Sequence, residues 1–159
     1  MDLRTAPPRS VHDLLLGVVM LGRTADKARA LAGGTEGAYE YPCPLDRAIL
    51  SWLEIEPDEF LGVVSEALSD PERETERIES YLRGFVSRKT SDEIAEFNYR
   101  WVTYVPPEGS DSAQRFRELR DRIAPDRTDI VNWSDLMDLE EGRSVPTGGR
   151  ARMYRQVAV

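Results

Sequence analysis

Four charged residues, Arg23, Asp26, Lys27 and Arg29, follow directly on the longest apolar run of the chain, Leu14–Leu21. Their spacings of three and four let them share one face of a helix. On an exposed helix such a set is an ion-pair ladder worth a few tenths of a kcal/mol per pair. Beside a buried run, each charge must be matched by another charge or by a ligand, because an unpaired charge near a core is costly. Arginine forks suit carboxylate and phosphate groups, and a nearby aspartate can orient them. A Gly33-Gly34 reversal then leads into Tyr39, Tyr41, Cys43 and Asp46, which can close over that face. Arg23, Asp26, Lys27, Arg29, Tyr39, Tyr41, Cys43 and Asp46 are therefore the candidate ligand-binding residues. Lys27 gains weight because it is one of only two lysines, with Lys89, among 21 basic residues.

Other chemistries find less support. Neither common Gly-rich phosphate loop is present. One histidine, His12, and one cysteine cannot build a zinc site without several carboxylates, so no metal and no cofactor is expected. His12 reads as a first-turn residue rather than a catalytic base. Glu72, Glu76 and Glu79 share a helix face but lack the Glu-x-x-His partner of di-metal bundles, and read as a solvated acidic face. Arg115, Arg117, Arg120 and Arg122 are interleaved with Glu118 and Asp121, which is salt-bridge patterning rather than a nucleic-acid footprint. Cys43 between two prolines reads as a small buried hydrophobe. As a reactive thiol it would need positive charge from Arg23, Lys27 or Arg47.

The elements that position these residues are helical. Ser10 reads as an N-cap of a first helix carrying Leu14, Val18, Leu21, Ala25, Ala28 and Ala32 at steps of four and three. Gly17 and Gly22 weaken that helix, and Thr24 can cap a second piece after a break near Gly22. Gly33-Gly34 end it. Further helices are expected from Pro44 to about Leu53, from Pro57, from Asp70-Pro71, from a Ser91 cap to Pro106-Pro107, from Ser110 or Asp111 with Phe116, Leu119 and Ile123 inward, and from Trp133 to about Glu141. No stretch alternates convincingly over strand length. The expected fold is all-α, six to seven helices packed round a buried N-terminal helix, without a substantial sheet.

At 159 residues and 40% hydrophobic content, one helical domain over 1–142 and a basic tail over 143–159 are expected. The net charge of −8 argues against non-specific binding to nucleic acid or an anionic membrane. Residues 54–79 hold ten acids and two bases, whereas the tail holds four arginines and no acid, so the tail can lie on an acidic face. One cysteine allows no intramolecular disulfide, and the charges at Arg23–Arg29 fall where a signal-peptide cleavage region should be neutral. The apolar run is also too short to span a bilayer. A cytoplasmic protein is the expectation.

Pro8-Arg9-Ser10, Leu14–Gly17, Leu21-x-Arg23, Asp26-Lys27-Ala28-Arg29 and Leu31-Ala32-Gly33 together resemble the opening of a bacterial family known as domain of unknown function 5069. The Ile55 and Phe60-Leu61 block and the ending Trp133-x-Asp135-Leu136-x-Asp138-Leu139-Glu140-Glu141-Gly142-Arg143 are similar to it too. The resemblance covers most of 8–143 and implies a small cytoplasmic helical protein. It implies no activity, and it marks Arg9, Arg23, Asp26, Lys27 and Arg29 as pattern positions. The function that follows is a binding module for a small anionic metabolite or a protein partner. The alternatives are a structural or interaction domain without a ligand, or a small enzyme using the Arg23/Asp26/Lys27 cleft with Lys27 or Tyr39 as acid/base and Cys43 as nucleophile. Oligomeric state is left open.

Overall fold

The apolar stretch that reads as a first helix is not helical before Leu21. In the computed structural model, which describes residues 1–150, Ser10 opens a single turn: its hydroxyl accepts the His12 N–H at 3.1 Å and the Asp13 carboxylate accepts the Ser10 N–H at 3.0 Å. The turn does not propagate. Leu15 and Val18 exchange both backbone hydrogen bonds, at 3.1 and 3.0 Å, around Leu16 and Gly17, whose φ values of 54° and 82° are both left-handed. Two consecutive positive φ angles are the signature of a tight two-residue hairpin turn. Gly17 takes that conformation freely, whereas Leu16 incurs a steric penalty for it. The Met20 N–H then closes the loop on the Val11 carbonyl at 2.9 Å. Val11, Leu15, Val18, Val19 and Met20 are buried, but Leu14, assigned by spacing to the apolar stripe, is 60% exposed.

The first helix, α1, is Leu21–Ala32, and Met20 with φ 68° makes the entry. Thr24 is an interior residue of α1 and not a cap. Nine of its twelve residues are buried, Arg23, Asp26 and Lys27 among them. It is followed by α2 (Pro44–Trp52), α3 (Pro57–Ala67), α4 (Glu74–Val86), α5 (Ser91–Thr103), α6 (Asp111–Ile123) and α7 (Trp133–Glu140). The fold is all-α, and among the described residues no β-strand forms. Prolines open α2 and α3 as their fixed φ requires. Helix α4 begins three residues after Pro71, because Asp70–Arg73 form a separate turn. Thr90, rather than Ser91, caps α5: its hydroxyl accepts the Glu93 N–H at 3.2 Å while the Glu93 carboxylate accepts the Thr90 N–H at 2.7 Å.

The chain forms two units, 1–94 and 95 onward, with the boundary inside α5. In the first, α1 packs on α2 and α3, and α3 packs on α4, around Leu21, Ala25, Ala28, Leu50, Phe60, Val64 and Leu82. In the second, α6 packs on α7 through Phe116, Ile130, Leu136 and Val145, with the Phe116 and Trp133 rings edge to face at 5.3 Å. Ile123, placed inward by spacing, is exposed. The start of the basic tail meets buried carboxylates of its own unit, not the acidic stretch over 54–79. The Asp135 carboxylate, wholly buried, accepts the Arg150 N–H at 3.0 Å, and Asp138 pairs with Arg143 and Arg150. Residues 151–159 of that tail lie outside the described residues.

Replacing Leu16 by Asn, the residue best tolerated at left-handed φ before glycine, should stabilise the protein by about 0.5–1 kcal/mol in urea unfolding. A loss of stability would mean that the Leu16 side chain contributes more by packing than its backbone costs.

Candidate functional site

Successive residues on a helix point about 100° apart, and α1 uses this to send its charges to different places. Asp26, 0% exposed, faces the N-terminal arm, residues 1–9. Its carboxylate accepts three hydrogen bonds from Arg9: from the backbone N–H and Nε at 2.9 Å each, both on Oδ2, and from Nη2 at 2.8 Å on Oδ1. The fork is bidentate, the strongest geometry available to this pair. The Asp26 carboxylate holds the Arg9 guanidinium protonated beyond the ordinary arginine range. Gly22 makes the approach possible: a Cβ there would lie 3.1 Å from Arg9 Cζ and Nε. Arg23 donates to the Arg9 carbonyl at 3.3 Å and places its guanidinium 5.6 Å from the centre of the Tyr39 ring.

Lys27, one residue on from Asp26, points instead toward the start of α2. Its Nζ lies 2.6 Å from Asp46 Oδ2, 3.1 Å from the Glu40 carbonyl and 3.2 Å from Cys43 Sγ. Asp46 is 0% exposed and fully used: Thr24 Oγ1 donates to its Oδ1 at 2.9 Å, and the Cys43 N–H donates to Oδ2 at 2.9 Å. Cys43 is the N-cap of α2, and its sulfur in turn accepts the Asp46 N–H. Tyr41 is buried and does not form a cavity wall. Its hydroxyl donates to the Pro57 carbonyl at 3.0 Å, and burial pushes the phenol well above its ordinary pKa, keeping it neutral.

Arg29 returns to the side of Asp26. Its Nε lies 2.7 Å from Glu74 Oε1, its Nη2 donates to Thr75 Oγ1 at 2.8 Å, and its Nη1 is 4.0 Å from Asp26 Oδ1. Here a cleft of about 170 Å³ opens between the arm, α1 and α4. Arg9, Asp26, Arg29, Thr75, Ile78 and Glu79 contribute to its lining.

The eight residues singled out from sequence thus fall into three groups. Asp26 and Arg29 line the cleft. Lys27, Cys43 and Asp46, with Tyr41 nearby, form an internal network, and Arg23 with Tyr39 supports the arm. Of the spacings that suit an ion-pair ladder, Asp26 and Arg29 keep a contact at 4.0 Å, but the closer partners of both come from elsewhere: Arg9 for Asp26 and Glu74 for Arg29. Sequence reasoning missed Arg9 as a site residue, although its place in the family pattern marked it. It also assigned Glu79 to a solvated face, whereas Glu79 lines the cleft. Thr75 and Ile78 carry no sequence signal, since nothing in α4 alone reveals that it meets α1.

A family model described as "Domain of unknown function (DUF5069)" matches residues 5–143. The chain belongs to the DUF5069 family. The match takes in Arg9, all of α1 to α7, and Arg143. No curated protein matches the chain. This DUF5069 chain has, among its described residues, no helix long and apolar enough to cross a membrane.

Two substitutions test the internal network. Asp46→Ala should cost about 3–5 kcal/mol in denaturant unfolding, because it strands a buried lysine charge. The Lys27→Met/Asp46→Leu double variant should recover most of that loss; a double variant as unstable as the single would mean that the hydrogen bonds of Asp46 to Thr24 and Cys43, not the ion pair, carry the stability. Gly22→Ala should cost about 1–3 kcal/mol despite alanine's better helix propensity, since it pushes Arg9 off a buried carboxylate.

Proposed function

We propose that this DUF5069 protein is a cytoplasmic binding module for a small metabolite that carries an anionic group and a cationic group together, of amino-acid size. The cleft between the arm, α1 and α4 is the site. The observation that carries this reading is the mixed charge of its lining: Arg9 and Arg29 together with Glu79, which has no hydrogen bond or ion pair among the described residues and whose charge acts on Arg9. Arg9 engages Asp26 through Nε and Nη2, so its Nη1 edge is available to a ligand carboxylate or phosphate. Among the lining side chains two carboxylates, Asp26 and Glu79, stand with two guanidiniums, Arg9 and Arg29, and Asp26 is already engaged by Arg9. A ligand carrying both signs of charge is matched by that mixed lining better than a polyanion is. Volume sets the size, since a cavity of about 150 Å³ accommodates benzene. Ile78, Leu15 and Ala25 supply apolar contact for a short side chain.

The sequence points to an anionic ligand; the Glu79 carboxylate in the lining refines it to a ligand that also carries a positive charge. Lys27 supports binding rather than acid–base catalysis, because its ammonium is buried and tied to Asp46 away from the cleft. The net charge of −8 supports a protein that engages neither nucleic acid nor an anionic membrane.

The test is a thermal-shift panel of amino acids, simple amines, simple carboxylates and inorganic phosphate, followed by calorimetry on any hit. A ligand at one hundred times its dissociation constant stabilises by about 2.7 kcal/mol, a shift of several degrees. At least one amino acid should shift wild type more than the matching carboxylate or amine alone. Glu79→Gln should weaken that amino acid at least about tenfold while leaving the unliganded midpoint unchanged. A panel without a zwitterion hit, or unaltered binding by Glu79→Gln, would overturn the reading.

A further inference from the structure

The contact between Lys27 and Cys43 lies outside the cleft and is not used by the proposed binding function. We propose that these two side chains form a reversible sulfur–nitrogen cross-link when a peroxide oxidises the thiol, making the junction of α1 and α2 a redox-sensitive site. Three observations carry the inference. Lys27 Nζ is 3.2 Å from Cys43 Sγ, and Lys27 is held there by Asp46 and by the Glu40 carbonyl. The sulfur receives a second N–H, from Asp46 in the first turn of α2, and thiolate rather than thiol is the form that attacks peroxide. Cys43 is free and only half-buried, and hydrogen peroxide is a small oxidant.

The chemistry balances with peroxide as the oxidant. The Cys43 sulfur, as thiolate, attacks one peroxide oxygen, the O–O bond breaks, sulfenic acid forms, and the hydroxide released takes up the proton the thiol has given and leaves as water; sulfur loses two electrons and the peroxide gains them. A sulfenic acid ordinarily condenses with a neighbouring thiol, but Cys43 is the sole cysteine of the chain. The nucleophile in contact is the Lys27 amine. Its ammonium gives a proton to Asp46 Oδ2, 2.6 Å away. The freed lone pair attacks sulfur, the S–N bond forms and the S–O bond breaks. The departing hydroxide takes the second nitrogen proton and leaves as water. The result ties the middle of α1 to the cap of α2 and neutralises both Lys27 and Asp46 in the core. A thiol reductant restores thiol and amine.

The experiment treats the full chain with hydrogen peroxide, quenches it, digests it with trypsin without reductant and maps the peptides by mass. The expected product joins the Lys27 and Cys43 segments, two hydrogens lighter than their sum, uncut after Lys27 and separated again by dithiothreitol. The Lys27→Arg protein, which keeps the positive charge toward Asp46, should yield no such product. Recovery of wild type with cleavage after Lys27 intact and Cys43 unmodified, over-oxidised to sulfinic or sulfonic acid, or joined to a second chain would overturn the proposal. The wild-type map decides the matter whether or not the arginine variant folds.

Discussion

Asp26 is a carboxylate with no exposure to water in the middle of the most buried helix of the first unit, and the surrounding structure follows from the need to satisfy it. A buried charge without partners is not sustainable, and the three Arg9 donors are its solution. That solution dictates where the arm runs, because both the backbone N–H and the guanidinium of Arg9 must reach one carboxylate. It leaves little room for a side chain at position 22, where the guanidinium lies against the helix. It also places the arm along one edge of the cleft and directs Arg29 outward to Glu74 on α4. Lys27 and Asp46 repeat the logic one residue along, joining α1 to the cap of α2. A helix carrying four charged side chains can thus be central, because Asp26, Lys27 and Arg29 are matched by counter-charges from segments distant in sequence and Arg23 by the Arg9 carbonyl and the Tyr39 ring.

Much of the helical scaffold is legible in the sequence because its boundaries are chemical. Pro44 and Pro57 open α2 and α3, Ser110 caps α6 through the Ala113 N–H, and Gly142 follows α7 with left-handed φ. Residues 11–20 are not legible in the same way. Leu14, Val18 and Leu21 fall at helical steps, yet a tight turn at Leu16-Gly17 is equally compatible with burying Val11, Leu15 and Val18. Periodicity over one or two turns cannot separate these arrangements, and tertiary burial decides between them. The site is half legible for a related reason. Clustered charge beside an apolar run signals that counter-ions are needed, but not that Arg9 and Glu74 supply them. In sequence Glu79 is indistinguishable from Glu72 and Glu76; only the placement of α4 against α1 sets it apart.

Function follows the division of charges. Where Lys27, Asp46 and Cys43 neutralise and cap one another, the outcome is rigidity, together with a sulfur–nitrogen contact open to oxidation. Where Arg9, Asp26 and Arg29 meet α4, the pairing leaves one carboxylate over and a cleft of small-ligand size. The same requirement, that the buried charges of α1 find partners, shapes both.

The central claim is that Arg9 and Asp26 are a coupled pair on which the arm and helix α1 depend. It is tested most directly by a double-mutant cycle with Arg9→Met, Asp26→Asn and the double variant, read by urea unfolding. The account predicts a coupling of about 2 kcal/mol or more, with the double variant more stable than the sum of the single losses implies. Losses that add to within about 0.5 kcal/mol would contradict it, and would mean that the arm is held by packing alone.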